Sequence, residues 1–391
     1  MSWRYCVLSL LAAGSAANAQ PSGPPEAAQQ PPVVLGAAYT ADIIGVFAKD
    51  YRDRTFYLDN LDVTATADLS RLIGWNGGTA HLHLLNNLGG MPNTRAGTLQ
   101  GIDNIEVASQ RLRVFEVWLE QAVGKRSTVR AGLYDLNSEF YTNEAAGALL
   151  APAFGVGSEI AATGPNGPSI FPSTALAVRI DTKLGKQGYA RFAALNANAS
   201  TIGDAHGVDM SFRNGALLVG EFGLEGSSKV ALGLWTYTRR QDDIRAVDMS
   251  GAPVRRNAHG AYAIVQHALN DSDGPWAMQA FARVGVSDGK TTPFRGGWQA
   301  GLLVDRPLAG RPNSLFSIGA NQGYLSKGYR RNLTDDGIGV RKAETAAEVT
   351  FSDQIIPHLT LQPDFQWIFS PGGEQDRRRS IAVAMRMTVE Y

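Results

Sequence analysis

Charged and aromatic side chains recur at two-residue spacing along several stretches of this chain, and together they suit one kind of chemistry. Glu116, Trp118 and Glu120 share one face of a stretch. Arg130 with Tyr134, Arg179, Glu221, Trp235 with Tyr237 and Arg239, Phe281 with Arg283, Glu344 with Glu348, and Asp364 occupy the polar faces of others. Guanidinium donors beside carboxylate acceptors can satisfy the many hydroxyls of an uncharged polar molecule, while Trp, Tyr and Phe add flat apolar surface with polar handles. Turned toward one aqueous passage, such a set would bind a solute weakly enough to release it. The competing assignment is that these groups are general wall residues that hold water and brace a loop.

Covalent chemistry is not indicated. The chain has no Gly-x-Ser-x-Gly elbow, phosphate loop, zinc-protease helix or paired-cysteine motif, so no catalytic residue and no cofactor is expected. His81 and His83 lie on one strand face, but two ligands without a third make a weak metal signal. Equal totals of 36 basic and 36 acidic residues argue against a nucleic-acid partner.

The elements that would position these side chains are strands. Many segments of about ten residues alternate apolar and polar, separated by Gly, Asn, Asp and Pro, with no sustained helical period. In the last segment Ile381, Val383, Met385, Met387, Val389 and Tyr391 fall on one face, and Ser380, Ala382, Ala384, Arg386, Thr388 and Glu390 on the other. Leu61, Val63, Ala65 and Ala67 oppose Asn60, Asp62, Thr64 and Thr66 in the same way. Segments 258–269 and 314–323 alternate poorly, and their faces stay unassigned.

Sixteen candidate strands follow: 35–47, 56–68, 79–86, 111–122, 127–134, 174–183, 188–196, 215–225, 228–239, 258–269, 276–286, 296–305, 314–323, 343–352, 359–369 and 379–391. The fold class is all-β, a transmembrane antiparallel barrel, for which an even strand number is required. Connections alternate in length as such a barrel demands. Gly124 to Arg126, Gly185 to Gln187 and Gly226-Ser227 are tight, whereas 87–110, 135–173, 197–214, 240–257 and 324–342 are long and fall at the outer end.

The N-terminus predicts the compartment. Arg4, an apolar run from Val7 to Ala13, and Ala17-Asn18-Ala19 read as an export signal over 1–19. A Pro, Ala and Gln-rich periplasmic lead-in follows over 20–34, and the barrel over 35–391. The only cysteine, Cys6, lies in the segment to be removed, so no disulfide or thiol is expected in the mature chain.

Several stretches resemble the OprB family of carbohydrate-selective porins. They are Leu133-Tyr134-Asp135-Leu136-Asn137-Ser138-Glu139-Phe140, then Phe154-Gly155 and Gly164-Pro165-Asn166-Gly167-Pro168-Ser169-Ile170-Phe171-Pro172. Leu58-Asp59-Asn60-Leu61-Asp62 with Gly74-Trp75-Asn76-Gly77-Gly78, and Leu361-Gln362-Pro363-Asp364-Phe365-Gln366 with Pro371-Gly372-Gly373, agree as well. The resemblance implies a Gram-negative outer-membrane porin of 16 strands, its pore lined by charged and aromatic residues, through which glucose and similar small sugars or polyols diffuse passively. In porins the third outer loop folds inward, and here that loop is 135–173.

The partners so implied are sugars, outer-membrane lipid and lipopolysaccharide, the latter facing the basic run Arg377-Arg378-Arg379. Barrel-assembly machinery is a further partner, since an aromatic residue closing the last strand resembles its recognition signal. A homotrimer is among the oligomeric states left open. Rival readings are a porin for anions or small organic acids, a barrel enzyme, and an exported carbohydrate-binding protein; mixed charge on the inward faces argues against the first.

Overall fold

Lipid outside and water inside impose the two-residue alternation, and in a computed structural model the chain answers with one closed antiparallel barrel of sixteen strands. The structure describes residues 31–48, 53–270, 276–377 and 379–391. The expected export signal and residues 20–30 of the lead-in lie outside them, while the first strand begins at Val33, two residues before the expected start of the barrel. The wall strands are β1 (Val33–Ala48), β2 (Arg54–Asp68), β3 (Gly78–Gly89), β4 (Leu112–Val123), β5 (Ser127–Tyr134), β6 (Ala175–Leu184), β7 (Gly188–Asn196), β8 (Ala216–Glu225) and β9 (Ser228–Tyr237). After a loop hairpin, β10 (Gln241–Val247) with β11 (Pro253–Arg256), the wall resumes with β12 (His259–Ala268), β13 (Ala277–Ser287), β14 (Phe294–Asp305), β15 (Ser314–Leu325), β16 (Ala343–Ile356), β17 (Leu359–Phe369) and β18 (Arg379–Glu390).

Closure comes from β1 pairing with β18, running from Ala38 opposite Glu390 to Ala48 opposite Ser380. Every wall strand is thereby paired on both sides, so its backbone polar groups meet protein rather than hydrocarbon. No helix among the described residues is long and apolar enough to cross a membrane. Leu232, Leu234, Phe222, Val284 and Ile43 are exposed on the outer face, and Phe365, Trp367 and Phe369 form an outward aromatic row. A charge substituted at the lipid-facing midplane would cost about 2 to 4 kcal/mol, which holds each strand in register.

Two long connections carry structure of their own. The stretch 240–257, expected as a loop, holds the β10–β11 hairpin, because Asp242 pairs with Arg255 at 2.7 Å and Asp243 with Arg256 at 3.2 Å. The stretch 324–342 contains a helix, α1 (Lys327–Asp335), capped by the Ser326 hydroxyl accepting from the Tyr329 amide at 3.2 Å. Arg245 of the hairpin donates to Asn332 and Asp335 of that helix at 2.8 and 2.7 Å. One of the two poorly alternating segments, 258–269, is also explained. In β12 Tyr262 and Ile264 are buried inside the barrel while Val265 is exposed outside, so both faces are apolar.

Candidate functional site

The third outer loop, residues 135–174, lies within the barrel because its apolar side chains find an apolar inner wall. Leu136, Phe140, Tyr141, Val156 and Ile160 pack against Tyr189, Leu195, Leu217, Val219, Trp235, Tyr237, Tyr262 and Ile264. Farther along, Ala145, Leu149 and Phe154 pack against Phe281 and Leu303. The lumen on that side is therefore a hydrophobic core in miniature.

A loop buried in this way must have its backbone groups satisfied, and charged wall residues do it. Carboxylates take amides. Glu116 accepts from the Asp135 N–H at 2.9 Å, Glu221 from Tyr141 at 3.0 Å, and Glu348 from Leu150 and from Ala151, the latter at 3.1 Å. Guanidinium takes carbonyls: Arg283, 1% exposed, donates to the Tyr141 oxygen at 2.5 Å, the Gly155 oxygen at 2.8 Å and the Phe154 oxygen. Glu344 does the same for the second outer loop, accepting from Leu99 at 3.0 Å and Gln100 at 2.9 Å, and for the last outer loop, accepting from Gly372 at 2.6 Å.

Between this loop and the inner wall of β4 to β7 runs a ladder of alternating charge. Arg130 and Arg179 both donate to Glu120 Oε2, at 3.1 and 2.6 Å. Arg179 also reaches Glu139 of the loop at 2.7 and 2.8 Å, Arg130 comes within 3.7 Å of Glu139, and Tyr134 donates to it at 2.5 Å. Arg191 pairs with Asp181 at 2.7 Å. The Arg130 guanidinium lies 3.6 Å over the Trp118 ring. Burial alone would raise the pKa of Glu139, but Arg130, Arg179 and Arg191 outweigh it and hold the carboxyl down at about 2. The loop therefore stays clamped as an anion across the ordinary pH range.

On the wall at β1 and β18 a second cluster joins Arg386 to Asp42 at 2.6 Å and to Asn104 of the second outer loop at 2.7 Å. Burial, with the charge of Asp42 beside it and against the pull of Arg386, pushes neighbouring Asp103 up to about 8; burial pushes Glu106 up to about 7. Both acids keep protons in the fold that the unfolded chain loses near pH 4, so their contribution is full below about pH 4, declines as pH rises, and is lost once pH has passed 7 and 8. Amide exchange at 99–106 is expected to quicken relative to the wall as pH rises from about 4 to about 8 and to level off beyond, and Asp103→Asn to flatten that response. Protection independent of pH would contradict it.

Comparison with known proteins decides what this arrangement belongs to. The family described as carbohydrate-selective porin, OprB family, matches residues 53–391. This chain is a member of the OprB family. Porin B of Pseudomonas aeruginosa is 22% identical to it over 90% of this chain and 85% of that one. A high-pH structure of Pseudomonas putida OprB superposes with a TM-score of 0.82 at 18% identity, covering 92% of this chain and 94% of that one. An anion-selective porin from Comamonas acidovorans gives 0.54 at 12% identity over 92% and 99%. The OprB-family chain is thus an outer-membrane sugar porin of a Gram-negative bacterium, a channel rather than an enzyme.

Within this OprB barrel the candidate residues fall into groups. Glu120, Arg130, Tyr134 and Arg179 meet in the ladder, with Trp118 as its aromatic wall. Glu116, Glu221, Arg283, Glu344 and Glu348 hold loop backbone, and Asp364 accepts from Gln366 at 2.9 Å near them. Trp235, Tyr237 and Phe281 are buried beneath the inward loop. Arg239 is brought to none of these: β9 ends at Tyr237, and Arg239 is exposed in the following loop, donating to the Arg213 carbonyl at 2.6 Å. Sequence reasoning missed Asp181, Arg191 and Glu139. Asp181 follows Arg179 on the same face and Arg191 is its cross-strand partner, a signal available from the alternation.

Proposed function

We propose that glucose and small sugars or polyols of its size diffuse through this barrel along the ladder. The supporting observation is the interleaving of Arg130, Arg179 and Arg191 with Glu120, Glu139 and Asp181 beside the Trp118 ring, these charged groups all part-exposed except the buried Arg179. Donors and acceptors stand paired when no sugar is present, and a passing sugar exchanges into those pairs, with affinity near ~1 mM, about 4 kcal/mol. An anion porin would need guanidiniums without matching carboxylates, and here they are matched.

Liposome swelling with a sugar series tests the reading. Glucose is expected to enter faster than gluconate, a charged solute of similar size; the reverse order would defeat sugar selectivity. Three further assignments belong to the proposal. Residues 1–19 act as a removed export signal, to be read by sequencing the mature N-terminus. Lipopolysaccharide phosphates neighbour the last outer loop around Arg377, and assembly machinery reads the last strand. Three barrels associate, supported by Asp59 on the lipid face between Tyr57 and Tyr39, whose hydroxyls reach it at 3.0 and 3.1 Å. A native mass of one chain would remove that last part.

A further inference from the structure

Two imidazoles and a carboxylate come together on the inner wall where the sequence shows only a His-x-His pair. His81 and His83 of β3 and Glu116 of β4 each offer a ligand atom, all within 4.8 Å of one another. His83 and Glu116 are cross-strand partners, and His81 is partnered by Trp118, so the β3–β4 register assembles the trio.

The surroundings are those of a ligand set rather than of three unrelated polar groups. His83 Nε2 lies 2.7 Å from Asp62 Oδ1, and His81 Nδ1 lies 2.8 Å from the Thr66 hydroxyl. These contacts set each ring's orientation: the Asp62 carboxylate engages His83 through Nε2, which turns Nδ1 of that ring away from it, and the Thr66 hydroxyl engages His81 through Nδ1, which turns Nε2 away. A carboxylate behind a ligating imidazole is the usual outer partner of a metal-bound histidine. Glu116 is oriented independently, by the Asp135 amide at 2.9 Å. Trp118 stacks on His81 with centroids 4.8 Å apart, and Phe115 meets His83 edge-on at 5.1 Å, so rings wall the trio.

We infer that His81, His83 and Glu116 form a site for a divalent transition-metal ion. Two nitrogens and one carboxylate oxygen suit Zn2+ or Co2+, whereas Ca2+ and Mg2+ prefer all-oxygen sets. Tetrahedral ligands about 2.1 Å from zinc stand roughly 3.4 Å apart, so binding would draw these atoms inward from their separation of up to 4.8 Å. Three protein ligands leave one position for water or a solute hydroxyl from the lumen. The ion would cross-link β3 to β4, and Glu116 would carry that link to the root of the inward loop at Asp135.

Co2+ added to the full-length protein in detergent is the probe, read by visible absorption and by competition with Zn2+. One Co2+ per chain is expected, with the intense band of a low-coordinate nitrogen–oxygen site, abolished by excess Zn2+. His83→Asn and Glu116→Gln should each weaken binding at least tenfold, and Asp62→Asn, which removes no ligand, by roughly 10- to 100-fold. Glu116→Gln keeps an acceptor for the Asp135 amide, and heat-dependent gel mobility verifies that each variant retains the barrel. Binding unchanged in these folded variants, or only the pale spectrum of hydrated Co2+, would overturn the site.

Discussion

Arg283→Leu is expected to free the inward loop from the wall and give a larger, noisier single-channel conductance in planar bilayers. Arg283 serves the carbonyls of Tyr141, Phe154 and Gly155 at once, and leucine serves none. Each buried carbonyl left without a donor costs about 1 to 3 kcal/mol. A loss of about 3 kcal/mol shifts the ratio of docked to undocked loop roughly a hundredfold. Limited proteolysis should then cut within 141–155, which the intact protein protects. Conductance and cleavage equal to those of the unmodified protein would show that apolar packing alone holds the loop.

The double replacement Glu120→Gln with Glu139→Gln should turn the channel toward anions. Arg130, Arg179 and Arg191 would keep Asp181 as their only carboxylate of the ladder. Reversal potentials in a KCl gradient read the change, which should be large in dilute salt and fade as the Debye length shortens from about 30 Å at 0.01 M to 3 Å at 1 M. Arg179 is 2% exposed, and stripping partners from a buried charge costs about 3 to 5 kcal/mol, so a lower melting temperature should accompany it. Unaltered selectivity in a folded double variant would remove the ladder from the solute path.

The outer surface was legible in the sequence because hydrocarbon tolerates little else. Val383 and Met385 in β18, and Leu232 and Leu234 in β9, stand outward as their alternation requires. The inner surface was harder to read wherever a loop lies against it. Ile43, Ile44, Val46 and Phe47 read as apolar on both faces because Ile44 and Val46 pack on Ala96, Ile102 and Leu150 from two loops, while Ile43 and Phe47 meet lipid.

The candidate site was half legible for a related reason. Inward parity follows from the pattern, so Glu120, Arg130 and Arg179 could be placed before any coordinates. Glu221, Arg283 and Glu348 could likewise be placed inside, but their partners are backbone amides and carbonyls, which every residue has and no sequence marks. Arg239 fails for the opposite reason: the strand stops two residues earlier than its alternation, and parity has no meaning beyond the end.

The contacts that fasten the third loop join distant parts of the chain: Leu150 bonds to Glu348, 198 residues later, and Tyr141 to Arg283, 142 residues later. The loop is thus a spoke set across a wheel, and the rim must be nearly complete before both its ends can seat. Such bracing resists flattening of the cylinder by lateral pressure in the bilayer. It also makes the seating of this loop one of the last steps to complete, so a half-assembled barrel would leak before it could discriminate.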